Sequence, residues 1–371
     1  MHTDGEGVSQ NLNSGLVRSG LRQRYFVLRF LVGGAIRAVR HALKNCVEVL
    51  RGGDACFDEQ GLFWRQYLLH VTELRRISKV TCTGLTGEGP GSQALMIMNA
   101  INFAGSCGLT YVHTPFTLIE HGDRPMEEWA KSWETVFNLG AGEAVCGVDR
   151  HEAVNFSHNF NELERFGWRF RGDELAERFK ASVAEFRRKY YANKSPRQTE
   201  EVTVAVHIRR GDVSDADPDY FTSNEAILRT LTEVKSILSS LTVKYSLRVY
   251  SQGESGGFVD FARIGAELFL DADALWTMQE LIEADILIMA KGCFSYYAAL
   301  ISDGITIFEP RVFAGDDLPS WKWRSVPATD RWIPCLTDGS FDREAFERQL
   351  QSIIKGKSAS AAKASIDNLR S

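Results

Sequence analysis

The sequence predicts an α/β protein of two Rossmann-like halves carried behind a helical N-terminal extension. Three observations predict it. Short uninterrupted apolar runs alternate with helix-length amphipathic segments over 202–310, the pattern of a parallel sheet covered on both faces. A strand, a glycine-rich loop, a helix and a second strand follow one another over 80–112, which is a βαβ unit. Hydrophobic residues are 44% and charged residues 25% of the 371, close to the balance of ordinary folded domains, so disordered, collagenous and coiled-coil readings are poor.

The elements follow in chain order. Residues 17–51 carry eight Arg or Lys and one acid, Glu48, with apolar residues in steps of three and four from Tyr25 to Leu50. That is an amphipathic helix, weakened at Gly33-Gly34. It suits peripheral docking on an anionic membrane surface and equally well packing on the body. Its basic residues run through the apolar part, so it is not a signal peptide. No run reaches the roughly 18 apolar residues of a spanning helix. A second helical pattern covers Glu59 to Arg76. Val80 to Thr83 reads as a strand, the loop Gly84 to Gln93 follows, then a helix from Ala94 to Ala104 and a strand from Leu109 to Val112. Glu127 to Phe137 and Asp173 to Tyr190 read as helices. Ala192 to Glu201, polar and holding Pro196, reads as a linker.

Beyond the linker the expected strands are Val202–Ile208, Tyr245–Tyr250, Glu267–Leu270, Ile286–Met289 and Ile305–Phe308. The expected helices are Asn224–Leu238, Gly257–Gly265, Leu275–Ala284 and Ser295–Ser302. The domains expected are a basic extension (1–78), an α/β acceptor-side half (79–195), a nucleotide-binding half (202–335) and a C-terminal helix and tail (336–371).

Composition narrows the function. A net charge of -5 argues against a nucleic-acid partner. Seven separated cysteines with no C-x-x-C pair argue against a zinc ribbon or a disulfide framework. They fit a reducing compartment, so a cytoplasmic location is expected. Ligands of open α/β sheets bind beyond the carboxyl ends of the strands, which singles out loops 84–93, 207–222, 251–257, 271–275 and 290–295.

Three of these loops carry chemistry. The first is neither a P-loop nor G-x-G-x-x-G, but its glycines allow close backbone approach, and its one acid, Glu88, is a candidate general base. The second is His207-Ile208-Arg209-Arg210-Gly211-Asp212. Strand alternation sends its two arginines opposite ways, one to the cleft and one to Asp212 or the domain body. A guanidinium fork suits a pyrophosphate. In the third, a strand ends at Met289 and Ser295 is positioned to cap the following helix, whose start is an anion site. Asp215, Asp217, Asp271 and Asp273 form two D-x-D pairs, a motif too short to define a metal site.

His207-Ile-Arg209-Arg210-Gly-Asp212 resembles the H-x-R-R-G-D motif of the fucosyltransferase superfamily. Gly89-Pro-Gly91-Ser92-Gln93 resembles the G-x-G-N-Q opening of its α-1,2 members, with Ser for Asn. Glu283-Ala-Asp285 through Phe294-Ser295 and Ala298 resembles their final motif. The set keeps the family's order over roughly 79–310. The resemblance implies a two-domain GT-B-like fold and inverting, metal-independent transfer of fucose from GDP-fucose to a glycan or glycoconjugate, with no cofactor. It implies that Arg209 holds the donor's β-phosphate. His207, Arg210, Asp212, Gly89, Gly91, Gln93, Phe294 and Ser295 would shape the donor pocket. It implies a base at Glu88 or, as the nearest acid after the arginines, Asp217. Where α-1,6 members carry a guanine-binding aspartate this chain has Thr277, and Asp271 or Asp273 is the nearest substitute. The same fold using another nucleotide sugar, and a non-catalytic nucleotide- or sugar-binding protein, are the alternatives.

Overall fold

The computed structural model describes residues 79–83, 88–107, 109–120, 122, 124–146, 153–155, 182–197, 199–310 and 331–370. The basic segment 17–51, the helical pattern 59–76, loop residues 84–87 and the first half of the helix expected from Asp173 lie outside the described residues. Contacts group the chain into two compact units. One holds 1–85, 96–115 and 142–172; the other holds 86–95, 116–141 and 173–371.

In the first unit four short strands, β1 (Lys79–Thr81), β2 (Thr110–His113), β3 (Ala144–Val145) and β4 (Ala153–Asn155), form a parallel sheet in the order β3-β2-β1-β4. All three pairings are parallel, with Lys79 opposite Thr110 on one side and Ala153 on the other. The helix α1 (Pro90–Cys107) starts four residues earlier than the apolar pattern suggested. Pro90 explains this, because its missing N–H costs nothing at a first helical position.

The second unit is built on a six-stranded parallel sheet of β5 (Val202–His207), β6 (Tyr245–Ser251), β7 (Glu267–Leu270), β8 (Ile286–Met289), β9 (Ile305–Phe308) and β10 (Trp332–Pro334). The order is β10-β9-β8-β5-β6-β7. The chain runs outward from β5 to β6 and β7, then restarts on its other side with β8. The gap between β5 and β8 is therefore the topological switch point.

Alternation along these strands explains the layers. Val202, Val204, Val206, Ile286, Ile288, Ile305 and Ile307 share one core cluster with the apolar stripe of helix α3 (Asn224–Ser240) and with Phe346 and Leu350 of the C-terminal helix α7 (Arg343–Arg370). The intervening Thr203, Ala205, Leu287 and Thr306 are buried too, as expected of strands covered on both faces. Each buried Val, Leu or Ile contributes about 1.5–3 kcal/mol, so this cluster carries much of the unit's stability. Ser223 caps α3 by accepting from the Ala226 N–H. The helix expected over Gly257–Gly265 is a 3₁₀ turn (Ser255–Phe258) followed by a short helix, α4 (Val259–Arg263). The helices α5 (Ala274–Ile282) and α6 (Cys293–Ile301) complete the alternation.

The polar linker is pinned to this unit. Arg197 pairs with Glu280 and Glu283, and Lys357 donates to the Thr199 and Glu201 carbonyls and pairs with Asp285 at 3.0 Å. Asp285 in turn accepts from the Thr203 N–H at 2.8 Å, which ties β5, β8 and α7 together. Within the second unit, helix α2 (Met126–Phe137) buries Trp129, Trp133 and Phe137. No helix among the described residues is long and apolar enough to cross a membrane.

Candidate active site

A cleft of about 570 Å³ opens in the second unit at the carboxyl ends of β5, β6 and β8. Its walls come from the glycine loop, the H-x-R-R-G-D loop, the ends of β6 and the starts of α5 and α6. Of the residues singled out in the sequence, Glu88, Gly89, Gly91, His207, Arg209, Arg210, Asp212 and Phe294 line it.

Arg209 faces the switch point. Its Nε and Nη2 donate to the two Asp212 oxygens at 3.1 and 2.6 Å, and its guanidinium lies over the Tyr220 ring at 5.1 Å. The Asp212 hydrogen bond raises its pKa further above the ordinary value. A side chain at Gly292 would meet Arg209 Nη1 at 3.2 Å, so the guanidinium lies against the turn that starts α6.

Arg210 turns into the domain body, as alternation predicted for one of the pair. It donates to the Arg209 and Thr222 carbonyls at 2.7 and 2.9 Å, and to Asn224 Oδ1. Phe221 supports it as a cation–π partner at 4.3 Å. It ties the loop to the start of α3. Gly211 has φ +89°, and a Cβ there would meet Gln252 Oε1 at 2.6 Å. The glycine of the motif is therefore required by backbone conformation, while the Gln252 side chain could swing aside.

Two helix starts meet in this cleft. Pro90, Gly91 and Ser92 open α1, and Cys293 and Phe294 open α6. A Cβ on Gly91 would stand 2.7 Å from the Cys293 carbonyl and from Phe294 Cα, so the two first turns are in backbone contact. Each contributes about half a positive charge at its N-terminus. With Arg209 they make an electropositive corner suited to a diphosphate. Gln93, fully buried, holds the loop's shape: its Nε2 donates to the Glu88 and Leu118 carbonyls at 2.8 Å each.

Three expected site residues stand elsewhere. Ser295 does not cap α6: it is the third residue of the helix, fully buried, and bonds His207 Nδ1. The N-cap is Gly292, with no side-chain cap. The cause is β5, which delivers the His207 imidazole against the helix, where it engages the Ser295 hydroxyl. Asp217 does not reach the cleft. Its carboxylate accepts from the Ser214 N–H at 3.3 Å and its carbonyl from Tyr220 and Phe221 at 2.9 Å, closing a turn on the surface. Asp271 is likewise turned away: both its oxygens take the Gly253 N–H at 3.3 Å, and the residue has φ 51°.

Burial and the neighbouring Arg209 guanidinium push the His207 imidazole down to about 4. It is therefore neutral at neutral pH. In the unfolded chain it takes its proton near the ordinary 6.5. Stability is thus full above that value and is lost as pH falls through it towards 4, by an amount on the order of 3 kcal/mol. Urea unfolding from neutral to acid pH checks this. His207→Gln should decline less steeply than wild type, and equal slopes would dismiss the imidazole as the cause.

Trp129 and Trp133 are not among the residues the sequence points to for the donor site. They form the cleft's inner wall while being almost wholly buried themselves. Trp129, Trp133 and Phe137 recur every four residues, the signal of an ordinary core face. Trp133 against Phe294, an edge contact at 6.1 Å, and Phe137 against Tyr297 at 4.3 Å show which core they join. Tyr220, which supports Arg209, has no signal in the sequence, because its loop has no periodicity.

No family model matches the chain, and no curated protein matches it. Among solved structures, POFUT1 in complex with GDP-fucose is similar at 12% identity and a TM-score of 0.35, over 63% of this chain and 98% of that one. POFUT1 in complex with GDP is similar at 14% identity and a TM-score of 0.34, with the same coverage of 63% and 98%. Likenesses this weak carry no argument. What the described residues do establish is a mixed α/β chain of parallel sheets, with a cleft holding Arg209 at the switch point of its larger sheet.

Proposed function

We propose that the chain is a glycosyltransferase whose cleft holds the diphosphate of a nucleotide sugar, and that it transfers fucose from GDP-fucose with inversion to a glycan or glycoconjugate. The observation that carries this is the convergence of Arg209 with the starts of α1 and α6 on one corner of the cleft. As the sugar leaves, the C1–O bond breaks and its electron pair passes to the β-phosphate of GDP. The charge growing there is met by the Arg209 guanidinium, whose Nη1 lies against the α6 turn, and by two helix termini, which gain most in the transition state. That positive charge is the part a metal ion would otherwise play, so the transfer is proposed to need none. Glu88, on the glycine-loop side of the cleft, takes the proton of the acceptor hydroxyl as its oxygen bonds to C1 from the opposite face.

Release of GDP from GDP-fucose, with and without a chelator, tests the reading. Turnover unchanged by the chelator and an inverted anomeric product are expected. A protein that binds GDP-fucose but never releases GDP with any acceptor would instead be a binding module. Glu88→Gln should keep donor affinity and lower transfer by about 100-fold or more, the usual share of a general base. Unchanged transfer would remove Glu88 from the chemistry.

A further inference from the structure

Besides Asp212, two neighbours fix where the Arg209 guanidinium stands. Its Nη1 lies against Gly292, in the turn that opens α6, and its guanidinium lies over the Tyr220 ring at 5.1 Å. The turn is held by its own helix, where the Tyr296 N–H donates to the Gly292 carbonyl at 3.0 Å. Tyr220 is 36% exposed and stands on the irregular loop between β5 and α3. Its own burial does little to hold it. The turn in which the Asp217 carbonyl accepts from Tyr220 and Phe221 sets the shape of this loop but not its place on the sheet.

Lys291 sets its place. An ammonium has three donors, and three acceptors meet this one: the Pro218 and Phe221 carbonyls at 3.2 and 3.1 Å and Glu309 Oε1 at 2.8 Å. The two carbonyls bracket Tyr220 in the chain. Glu309 Oε2 accepts from the Thr222 hydroxyl at 3.0 Å, a third point on the same loop. Lys291 and Glu309 are each 11% exposed and follow the paired strands β8 and β9, so the anchor stands on the sheet. Lys291 also directly precedes Gly292. One residue therefore reaches both neighbours of Arg209, the α6 turn through its backbone and the Tyr220 loop through its ammonium.

We propose that Lys291 is a positioning residue for the diphosphate corner: through the Pro218 and Phe221 carbonyls it holds Tyr220 against Arg209, and so keeps the guanidinium where a diphosphate meets it. The inference rests on the proposed role of Arg209. Lys291 is not itself part of the cleft wall, and its charge is matched by Glu309.

Calorimetric titration of the full-length protein with GDP, alongside urea unfolding, separates positioning from plain stability. Lys291→Met strands the Glu309 carboxylate and should lower both the unfolding midpoint and the affinity. Adding Glu309→Gln removes the stranded charge and restores the wild-type net charge, so most of the lost midpoint should return. The affinity should stay about fivefold or more below wild type, within the range of a lost cation–π contact. Tyr220→Leu should lose affinity by a similar factor. In that background the paired substitution should add less than about twofold, because effects that pass through one residue do not add. Wild-type affinity in the folded paired variant or in Tyr220→Leu overturns the inference and leaves the diphosphate corner standing, and so does a full further loss when the two are combined. A wild-type protein that does not bind GDP brings down the corner and the inference together. Should the paired variant not fold, Thr222→Val decides. It cuts the loop from Glu309, leaves the ion pair whole, and should weaken GDP binding about threefold or more; unchanged affinity overturns the anchor.

Discussion

Replacing Arg209 with alanine should lower turnover of GDP-fucose by more than about 100-fold, the usual cost of removing a charge-stabilising donor from an active site. Three features set the size of the effect. The guanidinium lies against the turn that opens α6, its neighbour Arg210 is committed to the domain body, and Lys291 is committed to Glu309 at 2.8 Å and to the Pro218 and Phe221 carbonyls. Neither neighbour can substitute. Removing Arg209 also strips Asp212 of both bonds from Arg209 and leaves its carboxylate at the corner meant for a diphosphate. Arg209→Lys should recover only part of the loss, because a single ammonium cannot keep the paired bonds to Asp212 and also present a donor where Nη1 stands. Steady-state kinetics with GDP-fucose decide the matter. Wild-type turnover in Arg209→Ala would overturn the assignment of Arg209.

Gly91→Ala should be a damaging small substitution at the cleft. Its methyl would stand 2.7 Å from the Cys293 carbonyl carbon, its oxygen and Phe294 Cα. All three are backbone atoms, so no side chain can swing aside. Separating the two helix starts should cost about 1–3 kcal/mol, as overpacking does, and should also pull apart the corner that binds the diphosphate. Gly105, in the same helix, has nothing within 4 Å of its would-be Cβ, so Gly105→Ala should be neutral or stabilising by about 0.5–1 kcal/mol. Denaturant midpoints for the pair isolate the steric contact from helix propensity. Equal midpoints would show that the helix starts are free to separate.

Much of the larger sheet is legible in the apolar pattern alone. Glu267–Leu270, Ile286–Met289 and Ile305–Phe308 are strands over the residues their apolar runs mark, and Val202 to His207 differs by one residue. Burial on both faces leaves a run of β-branched residues that few other structures tolerate. The arginine loop is legible for a related reason. It follows β5 directly, so the strand rule places it at the ligand-binding edge. Gly211 follows from the same loop, because a left-handed turn there excludes a side chain.

The rest depends on partners far apart in sequence. Glu88 and Asp217 are equivalent as acids in a row of letters; only the packing of the glycine loop against α6 brings the first to the cleft, while a local turn keeps the second away. Ser295 has the residue type and position of a cap, yet a histidine 88 residues earlier claims its hydroxyl. Asp273 has the charge to read a base, yet Arg124, 149 residues away, holds it. By itself the sequence determined the parallel sheet and the loop that bears Arg209, because strand burial and the carboxyl-edge rule are written in local pattern. The tertiary structure decided which acids are spoken for and which helix starts converge, because hydrogen-bond partners and backbone contacts are set by the packing of distant segments.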